Sequence, residues 1–180
     1  MERIIFFEND NQYESVCSGT IYFDFLDYAF AHTDYFMLVY VNYYGKGYSP
    51  TMKDYSKKLE KFKIKTRTNP CWPGTLGTYS RNTTYKVVFY RTAFEAKTIL
   101  KTVSALNTWS SPSYPQDLAF FKGNQCWFYS VGHENIAAII RATNDDLDFV
   151  ESRRIAHRTN AKPVDKYYSN YDECLISKTV

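Results

Sequence analysis

Three histidines (His32, His133 and His157) and four cysteines (Cys17, Cys71, Cys126 and Cys174) are the side chains best suited to metal ligation or nucleophilic attack. Their spacing favours neither. A zinc protease helix needs a second histidine one turn beyond a His-Glu pair, and after His133-Glu134 that position is Ala137. His133 therefore reads as a turn residue. The cysteines stand about fifty residues apart, which suits neither paired metal ligands nor a dense disulfide scaffold, and free, mostly buried thiols are expected. Cys126 could meet His133 or His32 only in space, and its apolar neighbours Trp127 and Phe128 favour an inert buried thiol. Gly45-Lys46-Gly47-Tyr48-Ser49 lacks the spacing of a phosphate-cradling loop and reads as a turn. The carboxylates Asp24/Asp27 and Asp145/Asp146/Asp148 fall where helix surfaces and caps explain them. No catalytic residue, metal ligand or cofactor is expected, and the chain does not read as an enzyme.

Charge is distributed unevenly. From Lys53 to Arg67, Lys53, Lys57, Lys58, Lys61, Lys63, Lys65 and Arg67 face only Asp54 and Glu60, a local balance of +5. From Asp117 to Glu151 six acids face Lys122 and Arg141, a balance of −4. Each run can be the solvated face of a helix, and opposite patches can also steer a charged macromolecular partner.

The elements that position these groups follow from periodicity and turn chemistry. Ile21, Phe25, Leu26, Ala29 and Phe30 share one face of a helix over about 20–32, with Asp24, Asp27 and Tyr28 opposite. Tyr35 to Tyr44 is aromatic and β-branched on both faces, as a central strand is. Ser49-Pro50 starts a second helix with an apolar stripe of Met52, Tyr55, Leu59 and Phe62. The Pro/Gly-rich stretch around Trp72 is a loop, and Thr84 to Tyr90 is a strand. Thr92 and Glu95 form a capping box opening a third helix to about Leu106. Leu118–Phe121 and Cys126–Val131 pair as a hairpin across Lys122-Gly123-Asn124. Ile136 to Ala142 fits strand and helix equally. Thr143 caps a short helix over Asp145 to Arg154, and the tail from about 156 is expected to be irregular and to order only against a partner. Such interleaving with a late hairpin is the α+β class: one domain over 1–180, a mixed or antiparallel sheet with helices packed on it.

Composition agrees with one soluble domain. In 180 residues, 17 Tyr, 13 Phe and 3 Trp leave most of the burial to rings. The net charge of +3 is too small to imply nucleic acid. The first ten residues hold an apolar run too short for a signal peptide, and Tyr35 to Tyr44 is about half the roughly 20 residues of a membrane helix, so a cytoplasmic location without membrane contact is expected.

Trp109 to Phe121, followed by Trp127-Phe128-Tyr129-Ser130 and His133-Glu134, resembles a pattern in small bacterial cytosolic proteins, some of which accompany toxin genes. In size and in richness of Tyr, Asn and Lys the chain is similar to the immunity proteins of contact-dependent and other polymorphic toxin systems. The resemblance implies a cytosolic protein that binds one cognate toxin domain, commonly a nuclease, and occludes its active site or substrate approach. It carries over no family site residues. From charge and ring chemistry, the partner surface is expected at Asp145, Asp146, Asp148 and Glu151, with Tyr167 and Tyr168 from the tail. The alternative is a nucleic-acid-binding module in which the Lys53 to Arg67 bases contact phosphates while Tyr55 and Phe62 stack on bases, although those two rings lie on the apolar stripe.

Overall fold

The computed structural model describes residues 1–9, 14–68, 70–75 and 80–162. The chain runs through β1 (Glu2–Phe7), α1 (Gly19–His32), β2 (Tyr35–Asn42), α2 (Pro50–Leu59), β3 (Lys63–Thr68) and β4 (Thr84–Arg91). It continues through α3 (Phe94–Leu100), β5 (Gln116–Lys122), β6 (Gln125–Val131), β7 (Ile136–Ile140), α4 (Asn144–Ser152) and β8 (His157–Lys162). The strands form one antiparallel sheet in the order β3-β4-β2-β5-β6-β7-β1-β8, so the class is α+β.

Strand β2 lies inside the sheet, and Phe36 to Val41 are all buried, because each of its faces is covered. Cross-strand partners share a face. Phe36 therefore stands beside Tyr90 and Phe120, and Phe120 beside Phe128. Helix α1 lies on that face: the Phe25 ring is centred 4.5 Å from Phe128 and 6.0 Å from both Phe7 and Phe120. Helix α3 contacts α1 and α2, and α4 joins through Phe149, stacked 4.1 Å from Tyr28. On the opposite face the 70–75 loop seats Trp72 against Tyr85 and Gly74 against Tyr129 and Val131.

Several boundaries differ from the sequence expectation, each for a tertiary reason. Strand β2 stops at Asn42, whose side chain accepts from the Gly47 amide at 2.7 Å while Tyr43–Gly45 turn away as a single 3₁₀ turn. The third helix neither starts on a Thr92 box nor reaches Leu106. The Thr92 hydroxyl donates instead to the Thr33 carbonyl at 2.7 Å, leaving Ala93 as the N-cap. Past Leu100 the backbone pairs with the segment before α1, through Gly19 N–H to Ser104 O at 2.7 Å and Leu106 N–H to Cys17 O at 2.9 Å. Those bonds replace helical ones.

The basic run is divided: Lys53, Lys57 and Lys58 are on α2, whereas Lys63, Lys65 and Arg67 belong to β3 at the sheet edge. Ile136–Ile140 is a strand. The tail is not irregular at 156, because His157–Lys162 pairs with β1 as the other edge strand. Its polar residues hide that role, since an edge strand is held mainly by its backbone ladder.

Candidate functional site

The acidic face begins with the cap of α4. Thr143 and Asp146 satisfy each other: the Asp146 amide donates to Thr143 Oγ1 at 3.2 Å, and the Thr143 amide donates to Asp146 Oδ2 at 2.8 Å. The Tyr28 hydroxyl donates to Asp146 Oδ1 at 2.9 Å from α1, and the Lys122 ammonium on β5 lies 4.0 Å from the same oxygen. Asp146 is consequently 0 % exposed. Placing it in a partner surface is corrected by this geometry: its carboxylate is spent on fastening α4 to α1 and the sheet. Burial, then the bond to Asp146, pushes the Tyr28 phenol above its ordinary range.

Asp145, Asp148 and Glu151 remain exposed. At intervals of three residues they share one side of α4, rising about 4.5 Å per step along the axis. The helix beneath them is held by the Tyr28–Phe149 stack, by Val150 in the core and by the Arg153–Asp24 ion pair at 3.0 Å. At its start Arg3 Nη1 donates to Asn144 Oδ1 at 2.7 Å. The three carboxylates are thus carried on a fixed support. Tyr167 and Tyr168 lie outside the described residues, as does Cys174.

Asp117, counted with the acidic run, is 1 % exposed and belongs to a different structure. Its carboxylate accepts from Trp72 Nε1 at 2.7 Å, Gln116 Nε2 at 3.1 Å and the Gly132 amide at 3.0 Å. The chain of bonds extends from Gln116 Oε1 to the Ser111 hydroxyl at 2.5 Å and from Ser111 to Tyr43 at 2.6 Å. Burial pushes the Asp117 carboxyl up to about 6, against the opposing pull of the Trp72 and Gly132 donors and the nearby His133. The network joins the Trp72 loop, the end of β2 and the β5 and β6 ends.

Comparison of the chain with family models, curated proteins and solved structures gave no match.

The remaining candidates are scattered. Cys126 is fully buried, its thiol donating to the Phe128 carbonyl at 3.4 Å, so that sulfur is not presented to a substrate. Burial pushes the Cys17 thiol up to about 12. His133 sits in the turn after β6 with Nε2 3.5 Å from Glu134. Among the described residues no three His, Cys, Asp or Glu side chains gather in a metal-binding group, and no helix is long and apolar enough to cross a membrane. The cap at Thr143 was legible in the sequence, but the burial of Asp146 under Tyr28 was not. Nor was the Asp117 network, because its members are up to 89 residues apart in the sequence, from Tyr43 to Gly132.

Proposed function

We propose that this chain is a non-enzymatic, cytosolic protein-binding protein, and specifically an immunity protein that neutralises a cognate bacterial toxin by covering its active site. The observation that carries the reading is the exposed Asp145, Asp148 and Glu151 series on an α4 whose cap, ring stack and ion pair hold it rigid. A row of fixed carboxylates imitates nucleic-acid phosphates to a basic cleft, and a preorganised surface loses little entropy on docking. A nuclease is the toxin class that such a surface fits. The rival nucleic-acid reading is weakened because Tyr55 is buried against Trp109 with centroids 5.2 Å apart, and Phe62 is half-buried. Neither ring is spare for stacking on bases.

The test is co-expression with the toxin domain encoded by the adjacent gene. The wild-type chain should restore growth, and the combined Asp145→Lys, Asp148→Lys and Glu151→Lys variant should not, with an unchanged melting curve. Equal protection by the variant would remove α4 from the interface, and the lack of any toxin domain in the neighbouring genes would remove the immunity reading.

A further inference from the structure

A second surface, independent of α4, has the attributes of a small-molecule site. Between α2 and the β2/β4 part of the sheet lies a cleft of about 280 Å³. That is near the lower end of the volumes, about 300 Å³ upward, typical of ligand pockets. Its floor is apolar and aromatic: Met52 is fully buried, Tyr40 is 2 % exposed, and Tyr48 meets Tyr40 edge to face at 6.3 Å. Its rim is basic, with exposed Lys53 and Lys57 one turn apart on α2 and half-buried Lys86 opposite on β4.

The charges around this opening are not balanced internally. Neighbouring lysines have partners: Lys58 pairs with Asp54 at 2.7 Å, Lys63 pairs with Glu60, and Lys61 lies 4.8 Å over the Phe62 ring. Lys53, Lys57 and Lys86 make no ion pair with any described residue. Glu60, the one acid among the described residues lining the cleft, is already engaged by Lys63. Three lysines around one small opening bring like charges near one another, and an anion among them would relieve their repulsion.

A buried hydroxyl points the same way. Tyr40 and Tyr90 share one hydrogen bond at 2.8 Å, yet the pair owns two hydroxyl protons. With Tyr90 as the donor, the Tyr40 O–H has no acceptor among the described residues, and Tyr40 lines the cleft. A buried donor without a partner is unfavourable, so a ligand oxygen at the floor would be favoured.

We propose that this cleft binds a small organic phosphate of about mononucleotide size. Lys53, Lys57 and Lys86 would hold the phosphate, the Tyr48 and Met52 surfaces would take the apolar or planar body, and Glu60 would accept from a ligand hydroxyl. Lysine is suited to the phosphate as a mobile point charge with three donors. The proposal does not depend on the immunity reading, because the acids of α4 take no part in the cleft.

Calorimetric titration with AMP at low ionic strength tests it, with adenosine, inorganic phosphate and a single-stranded RNA decamer titrated in parallel. One saturable AMP site is expected, with adenosine and inorganic phosphate each at least about tenfold weaker. The Lys53→Glu and Lys57→Glu double variant should lose at least about tenfold in AMP affinity while keeping the wild-type melting curve and the wild-type protection against the toxin. Tyr48→Ala should weaken AMP binding without altering binding of inorganic phosphate. Absence of saturation, or affinity unaffected by the double variant, would overturn the site. Tighter binding of the decamer with a salt slope steeper than about −2 would assign the surface to a nucleic-acid polymer and overturn the small-molecule proposal.

Discussion

The indole N–H of Trp72 donates to the buried Asp117 carboxylate at 2.7 Å, joining a Pro/Gly-rich loop to a strand 45 residues away. Asp117 also sits in the left-handed backbone region, with φ of 60°, which aspartate tolerates better than most residues. One carboxylate therefore fixes both the turn into β5 and the loop over the sheet. Trp72→Phe should destabilise the fold by about 2 kcal/mol, because it leaves this buried acceptor short of a donor as well as removing packing. Urea denaturation measures the loss, and an unchanged midpoint would show that the bond contributes nothing.

Asp117 also predicts a pH dependence. Its folded pKa is raised from 3.8 to about 6, so the folded chain holds this proton more tightly than the unfolded chain does. The associated stability is fully present below pH 3.8 and is lost as pH rises through about 6. At 1.36 kcal/mol per unit the contribution is roughly 3 kcal/mol. The stability advantage of wild type over Asp117→Asn should shrink by about that amount between pH 3.5 and pH 7. A carboxyl ¹³C titration of Asp117 should have its midpoint near 6, and a midpoint below 4 would contradict the assignment.

Gly132 is expected to resist any substitution. A Cβ there would lie 2.1 Å from the Trp109 carbonyl oxygen, a backbone atom that cannot rotate away. Gly132→Ala should cost more than about 3 kcal/mol and should lower soluble yield, as overpacking against rigid neighbours does. Gly45→Ala is the control: a Cβ there meets nothing within 4 Å, and only the positive φ of 70° is strained. Its cost should be about 1 kcal/mol. Equal losses at the two positions in denaturant melts would refute the steric argument.

Asp146 and Asp145 are adjacent acids with opposite expected behaviour. Asp146→Ala removes the reciprocal cap and leaves the Tyr28 hydroxyl without its acceptor, so it should cost about 3 kcal/mol. Asp145→Ala should cost no more than about 0.5 kcal/mol, the worth of an exposed acid in the first turn of a helix. Thermal melts of the two variants decide the matter, and a mild Asp146 phenotype would mean that the cap is dispensable.

Local chemistry alone determined a large part of this protein. Helical spacing of Phe25, Leu26 and Ala29 placed α1 within one residue of its observed start, and Ser49-Pro50 marked the beginning of α2, where Ser49 does accept the Met52 amide at 3.0 Å. The Lys122-Gly123-Asn124 turn predicted the β5–β6 hairpin, and the unbroken apolar run of β2 predicted its interior place. Each of these signals lies within a few residues of the feature it specifies. Tertiary structure decided where local signals were outbid or silent. Thr92 met a capping pattern but gave its hydroxyl to Thr33, and α3 ended where backbone pairing with the segment before α1 began. Polar β8 became a strand because β1 offered it a free backbone edge. Likewise, sequence placed Asp145 and Asp146 together as equal surface acids, and only folding separated them: Tyr28, 118 residues away, closes over one carboxylate and leaves the other in water.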